Sequence, residues 1–247
     1  MVDFKHFYKE KANVAFSVFG YPNLATTKAF LQRLDTSKID ILELGIAYSD
    51  PIADGRIISE AALQALNEGI NIHEVFKSLA ELKIKKPIVF LVYYNLIFSY
   101  GIKQFVEESK KVGIKGLIVP ELPFEENEEL FKECEKAGLA LIPLISVTTS
   151  KERMQKILTR ASGFVYVVAS LGITGGKQVG FSRLKSLVKE LRAYTTLPIF
   201  IGFGIKNAKD VQNIKQICDG AIVGTSIVEA FKEKKITKIM QKVNEIF

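Results

Sequence analysis

One carboxylate interrupts an otherwise apolar run, Asp40-Ile-Leu-Glu-Leu-Gly-Ile46. The period-2 alternation of a strand puts Ile41, Glu43 and Gly45 on one face and Leu42, Leu44 and Ile46 on the other. The small Gly45 is expected to leave room above Glu43. A charge buried there is costly unless it is paired or its pKa rises. A carboxyl that titrates near neutrality is what a general acid or base needs. A structural carboxylate held by an ion pair or by backbone amides is the plainer account of a buried Glu, and the functional reading is favoured over it. The next segment, Tyr48-Ser-Asp-Pro-Ile-Ala-Asp-Gly55, adds Asp50 and Asp54. Taken singly, each reads as turn chemistry, because Asp-Pro and Asp-Gly are ordinary turn dipeptides. Beside Glu43, neighbouring carboxyls can be driven apart in pKa, which separates an acid from a base.

Four other places hold chemistry-bearing residues. Tyr93 and Asn95 end an apolar run in Val92-Tyr-Tyr-Asn-Leu96; they suit a cavity mouth, or equally a half-buried aromatic and a loop-starting Asn. Tyr166 lies in a run that leads into Ser170-Leu-Gly-Ile-Thr-Gly-Gly-Lys-Gln-Val-Gly180. That glycine-rich stretch is longer than an ordinary strand-to-helix turn, which favours a lid over an idle connection. Ile201-Gly-Phe-Gly-Ile205 and Ala221-Ile-Val-Gly-Thr-Ser226 close two further runs. Gly204, Gly224 and Thr225 can offer backbone N–H groups, and the second segment opens a helix whose dipole favours an anion. Tight turns relieved by glycine are the plainer account, but two such loops in matching places favour phosphate. His6 and His73 fall in presumed helices away from run ends, and no GxSxG, HExxH or Walker loop is present.

The elements that must position these residues follow from periodicity. Eight short Val/Ile/Leu/Phe-rich runs, at 13–19, 40–46, 87–92, 116–119, 140–145, 164–169, 198–203 and 220–224, read as strands buried on both faces. Segments with helical spacing separate them, among them 27–34, 126–137 and 183–191. Thr149-Ser-Lys-Glu and Asn207-Ala-Lys-Asp have the pattern of helix starts. Eight strand–helix repeats in 247 residues predict an α/β fold, a (β/α)8 TIM barrel forming a single domain over 1–247, with a short N-terminal helix across its bottom. In such a barrel the run ends above lie at one mouth, and loops seven and eight commonly hold phosphate.

Composition removes several classes. With 48% hydrophobic and 25% charged side chains the chain is neither disordered nor fibrous. The N-terminus is charged throughout and is not a signal peptide. The longest apolar run, 88–98, is too short to span a membrane. Cys134 and Cys218 form no CxxC, and with two distant histidines they make no zinc set. A cytoplasmic protein with reduced thiols and no metal is the expectation. The net charge of +7 suits an anionic ligand. Its lysines are interleaved with acids and no aromatic–basic motif accompanies them, which argues against nucleic acid.

The run from Glu43 to Gly55 closely resembles the signature of the tryptophan synthase alpha subunit family, roughly E-L-G-x-P-[FY]-S-D-P-x-A-D-G-P. Phe16 with Gly20-Tyr-Pro22, Tyr93-x-Asn95, Tyr166 with Gly172-Ile-Thr-Gly175, Gly202-Phe-Gly-Ile205 and Gly224-Thr-Ser226 also resemble family positions, in order, over nearly the whole chain. The resemblance implies a lyase of tryptophan biosynthesis that cleaves indole-3-glycerol phosphate to indole and glyceraldehyde 3-phosphate. It implies no cofactor in this chain, and a partner beta subunit that carries pyridoxal phosphate in an α2β2 complex. By the same resemblance Glu43 is the general acid/base and Asp54 meets the indole N–H. Phe16, Tyr93, Tyr166 and Thr174 would bind the rest of the substrate. Gly175, Gly204, Gly224 and Thr225 would hold its phosphate. The chain departs from the pattern at Ala47 and Arg56, where prolines are usual, and at Glu121, Val147 and Ser170. Losing two prolines loosens the second loop by roughly 0.4–1 kcal/mol each. The rival readings are another phosphate-binding barrel enzyme and a weakly active regulatory subunit.

Overall fold

The computed structural model describes residues 2–171, 177–178, 180–202 and 204–247. Its strands are β1 (Ala12–Val18), β2 (Ile41–Gly45), β3 (Ile88–Leu91), β4 (Gly116–Ile118), β5 (Ala140–Leu141), β6 (Leu144–Ser146), β7 (Val165–Val168), β8 (Ser170–Leu171), β9 (Lys177–Gln178), β10 (Ile199–Gly202) and β11 (Gly220–Val223). The helices are α1 (Leu24–Arg33), α2 (Arg56–Asn67), α3 (Ile72–Glu81), α4 (Tyr94–Tyr100), α5 (Ile102–Lys111), α6 (Glu128–Ala137), α7 (Lys151–Leu158), α8 (Phe181–Leu191), α9 (Ala208–Lys215), α10 (Thr225–Ala230) and α11 (Ile236–Ile246).

The main sheet is parallel and runs in the order β5-β4-β3-β2-β1-β11-β10-β7-β6. Its two end strands are halves of one expected run, 140–145, so the ends of the order meet and the (β/α)8 barrel closes. The run divides because Pro143 has no N–H to give a ladder. Its first half pairs with β4 and its second with β7. Ser162 bridges the division: Leu141 N–H donates to its Oγ at 3.0 Å, and the hydroxyl reaches Leu141 O at 3.4 Å. Nine sheet strands thus stand where eight runs were expected.

Helix starts follow local chemistry. Asn23 Oδ1 accepts from Thr26 N, Ser150 Oγ from Arg153 N and Asn207 Oδ1 from Asp210 N, each satisfying an orphan donor of a first turn. The expected N-terminal helix is a single 3₁₀ turn, Phe4–Phe7. Phe4 is fully buried and meets the Phe164 ring edge-on at 5.3 Å, sealing the barrel beneath the start of β7. The loop between β7 and α8 carries a small antiparallel ladder, Ser170 opposite Gln178 and Leu171 opposite Lys177. No described helix is long and apolar enough to cross a membrane.

Candidate active site at the barrel mouth

The register brings Phe16 of β1 opposite Glu43 of β2. Both side chains face the barrel interior and line a cavity of about 620 Å³ at the C-terminal ends of the strands. Ile41 and Gly45 share that inward face by alternation. The space at Gly45 does not stand open above Glu43, as the sequence suggested. Phe16 fills it: a Cβ on Gly45 would come within 2.8 Å of the Phe16 ring. Gly45 therefore allows an aromatic wall beside the carboxyl.

Glu43 is 1% exposed, and its Oε2 has no hydrogen-bond partner among the described residues. Burial pushes its pKa up to about 8, and the nearby Asp54 adds to the rise. Neither an ion pair nor a backbone cradle for it is seen among the described residues. Asp54 ends the loop before α2. Burial also raises its pKa, to about 6, and a hydrogen bond from Tyr93 works against the rise. At neutral pH one carboxyl is therefore mostly protonated and the other mostly ionised. Tyr166 of β7 stands on the same wall, buried, with its phenol held well above its ordinary range by burial and by the two carboxyls. Gly202 makes its position possible, since a Cβ there would collide with the Tyr166 hydroxyl and lie 2.7 Å from Cζ.

Tyr93, expected to bind substrate, is not on the cavity wall. It is 2% exposed and lies behind Asp54. Its hydroxyl donates to Asp54 Oδ2 at 3.1 Å and accepts from Ala53 N at 3.1 Å. Tyr48 stacks on it with centroids 5.2 Å apart, and Asn95 donates to the Tyr48 hydroxyl at 3.0 Å. The end of β3 thus organises the acidic loop from behind. Sequence could place Tyr93 at a strand end but not say which way it turned. Asp50, paired with Ser49, is exposed and away from the cavity. His6 and His73 are likewise off the cavity wall.

Gly204, Gly224 and Thr225 meet on the cavity wall with Ser226. Gly204 has φ +78°, a left-handed conformation that suits glycine and turns the chain at the mouth. Gly224 is the N-cap of α10, whose first N–H groups have no acceptor within the helix. Thr174 and Gly175 lie outside the described residues. Ser146 at the end of β6 and Thr148 and Thr149 after it line the cavity, and sequence reasoning does not single them out as site residues. Ser146 and Thr148 hydroxyls are 2.7 Å apart and Ser146 N donates to Thr149 Oγ1. Four hydroxyls within five residues of a strand end were the available signal. Lys206, after β10, was also missed.

The departures have local accommodations. Arg56 takes the first position of α2 and pairs with Glu60 at 2.6 Å, while Ala47 is buried. Glu121 accepts from Tyr94 N at the start of α4. Val147 O accepts from Arg183 at 3.1 Å. No group of His, Cys, Asp and Glu among the described residues could hold a metal ion.

Comparison with known proteins follows the same outline. The family model for the tryptophan synthase alpha chain matches residues 4–246. The tryptophan synthase alpha chain of Campylobacter jejuni is 60% identical over 247 residues, covering 100% of this chain and 99% of that one. That of Methanocaldococcus jannaschii is 45% identical over 223 residues, covering 89% and 79%. Among solved structures, a tryptophan synthase subunit alpha from Campylobacter jejuni superposes with a TM-score of 0.94 at 60% identity over all of both chains. A chain of the Pyrococcus furiosus tryptophan synthase complex gives 0.84 at 29% identity over 96% of this chain and 98% of that one.

Proposed function

The chain belongs to the tryptophan synthase alpha chain family, and from that premise we propose how its own residues divide the work. The reaction is the retro-aldol cleavage of indole-3-glycerol phosphate to indole and glyceraldehyde 3-phosphate, a lyase step of tryptophan biosynthesis. The chain needs no cofactor for it and works with a beta subunit that holds pyridoxal phosphate.

The cleavage needs a proton delivered to indole C3 and a proton removed from the hydroxyl on the adjoining carbon. The carbon–carbon bond then breaks, leaving indole and an aldehyde. Glu43, protonated at neutral pH, supplies the first proton and, once ionised, takes the second. Asp54, ionised at neutral pH, accepts the indole N–H and stabilises the positive charge that C3 protonation places on the ring. Phe16 packs the ring, and Tyr166 orients the reacting carbon against Glu43. Tyr93 acts as a positioning residue through Asp54. Gly204, Gly224 and Thr225 cradle the phosphate; by the family resemblance Gly175 joins them and Thr174 is a substrate-binding residue. The whole chain serves as one domain, and we place it in the cytoplasm. One observation carries this reading: the buried Glu43 and the half-buried Asp54 line one cavity together with Gly204, Gly224 and Thr225.

The test is release of glyceraldehyde 3-phosphate from indole-3-glycerol phosphate by the purified chain, with and without its beta subunit, with Glu43→Gln as the blank. Release that beta enhances and Glu43→Gln removes is expected. Release unaffected by Glu43→Gln would refute the assignment of Glu43. No release even with beta would favour a regulatory subunit.

A further inference from the structure

Among the described residues, four acidic or basic ones line the cavity: Glu43, Asp54, Glu229 and Lys206. Three are acids, yet the substrate brings a phosphate dianion into the same space. Backbone N–H groups and a threonine hydroxyl offer only partial charges to it. Lys206 is the one full positive charge among the described lining residues, and it follows Gly204 by two positions, on the side of the glycine cradle.

Its backbone is held firmly. Ile205, buried at 5% exposure, anchors the segment on one side. Lys206 N donates to Asp210 Oδ2 at 2.9 Å, and Asp210 N is itself capped by Asn207 at 3.0 Å. The ammonium is uncommitted: among the described residues Lys206 enters no ion pair and its Nζ donates to no oxygen. Lysines elsewhere on the molecule are often tied, as Lys28 is to Glu81 and Lys11 to Cys218 O.

Resting on the reaction proposed above, we propose that Lys206 is a substrate-binding residue that pairs with the phosphate group from the open side of the Gly204–Gly224 cradle. It offsets the repulsion from Glu229 and from the ionised Asp54, which line the same cavity. The phosphate keeps its charge through the reaction, so the pairing acts alike on ground state and transition state. It appears in KM and in the affinity for phosphate esters, not in kcat.

The experiment compares wild type, Lys206→Gln and Lys206→Arg with three probes: indole-3-glycerol phosphate for turnover, glycerol 3-phosphate for the phosphate end, and indole for the ring end. An exposed lysine–phosphate pair predicts that Lys206→Gln weakens glycerol 3-phosphate binding and raises KM by about three- to tenfold. Indole binding and kcat stay unchanged, and Lys206→Arg recovers most of the loss. The difference between wild type and Lys206→Gln should shrink at about 1 M salt, where the screening length is about 3 Å. Equal glycerol 3-phosphate affinity in wild type and Lys206→Gln overturns the role of Lys206 alone. Loss of indole binding in step with phosphate binding overturns it as well, since the change is then structural. Failure of glycerol 3-phosphate to bind wild type overturns the phosphate cradle, and Lys206 with it.

Discussion

Replacing Glu43 by Gln should stabilise the protein, and do so only above mildly acidic pH. The folded chain holds this carboxyl at about 8 against 4.5 for an ordinary Glu. Between those values the unfolded chain ionises Glu43 and the folded chain does not, so unfolding releases a proton and stability falls as pH rises. At about 1.4 kcal/mol per pH unit, the wild type forfeits about 3 kcal/mol at pH 7 and about 5 kcal/mol once past pH 8. Below about pH 4.5 the residue is neutral in both states and the loss vanishes. Gln never ionises, so the variant escapes the loss. Its amide brings a packing and hydrogen-bonding offset of its own, but that offset does not depend on pH. The informative quantity is therefore the slope of the difference. The chain has no tryptophan, so urea unfolding is best followed by far-UV circular dichroism, at a series of pH values from about 4 to 9. The gap between Glu43→Gln and wild type should open between about pH 4.5 and 8 and level off beyond. Parallel stability profiles would mean that Glu43 ionises in the fold as readily as in water, and the argument from its buried, unpartnered Oε2 would fail.

The same two carboxyls set the pH dependence of the reaction. The free protein should show a bell in kcat/KM, rising as Asp54 ionises near 6 and falling as Glu43 ionises near 8; a flat profile between them and beyond refutes the division of roles. Asp54→Asn should lower kcat by about 10²- to 10⁴-fold with the circular dichroism spectrum unchanged, and wild-type turnover would remove Asp54 from the chemistry. Tyr93→Phe removes the hydrogen bond that holds Asp54 down, so the acidic limb should move up by about one unit, the equivalent of one charge-assisted hydrogen bond of about 1.4 kcal/mol. An unmoved limb would show that the bond does not survive in solution. Gly45→Ala must push the Phe16 ring from a 2.8 Å contact, which should raise KM for the substrate while leaving the stability slope of Glu43 intact; a KM like wild type would show that the ring does not pack the substrate.

Periodicity alone also fits a doubly wound open sheet; the count of eight apolar runs and the glycines at the run ends favour the barrel. Periodicity could not show the division of the fifth run, which depends on Pro143 lacking an N–H and on Ser162 being near in space. The inward face of Glu43 was legible from alternation within its own strand. The aromatic beside it was not, because Phe16 reaches Gly45 from a neighbouring strand, and register is invisible in one sequence. Tyr93 marks the same limit. A strand end narrows a residue to the mouth, but whether its hydroxyl faces the cavity or supports Asp54 is decided by how the second loop folds back on it. Lys206 went unread because an exposed lysine after a turn is commonplace, and only the census of charges around one cavity singles it out.

The division of the fifth strand has a bearing on solubility. A closed ladder offers no bare strand edge, but this one has an interruption at which Leu141 would present an N–H and a C=O with no strand beside them. Open edges of that kind are templates for pairing with other chains. The Ser162 hydroxyl engages both groups, and it does so with a side chain too short to extend the pairing further. It satisfies both groups where, among the described residues, the barrel wall is spliced rather than woven.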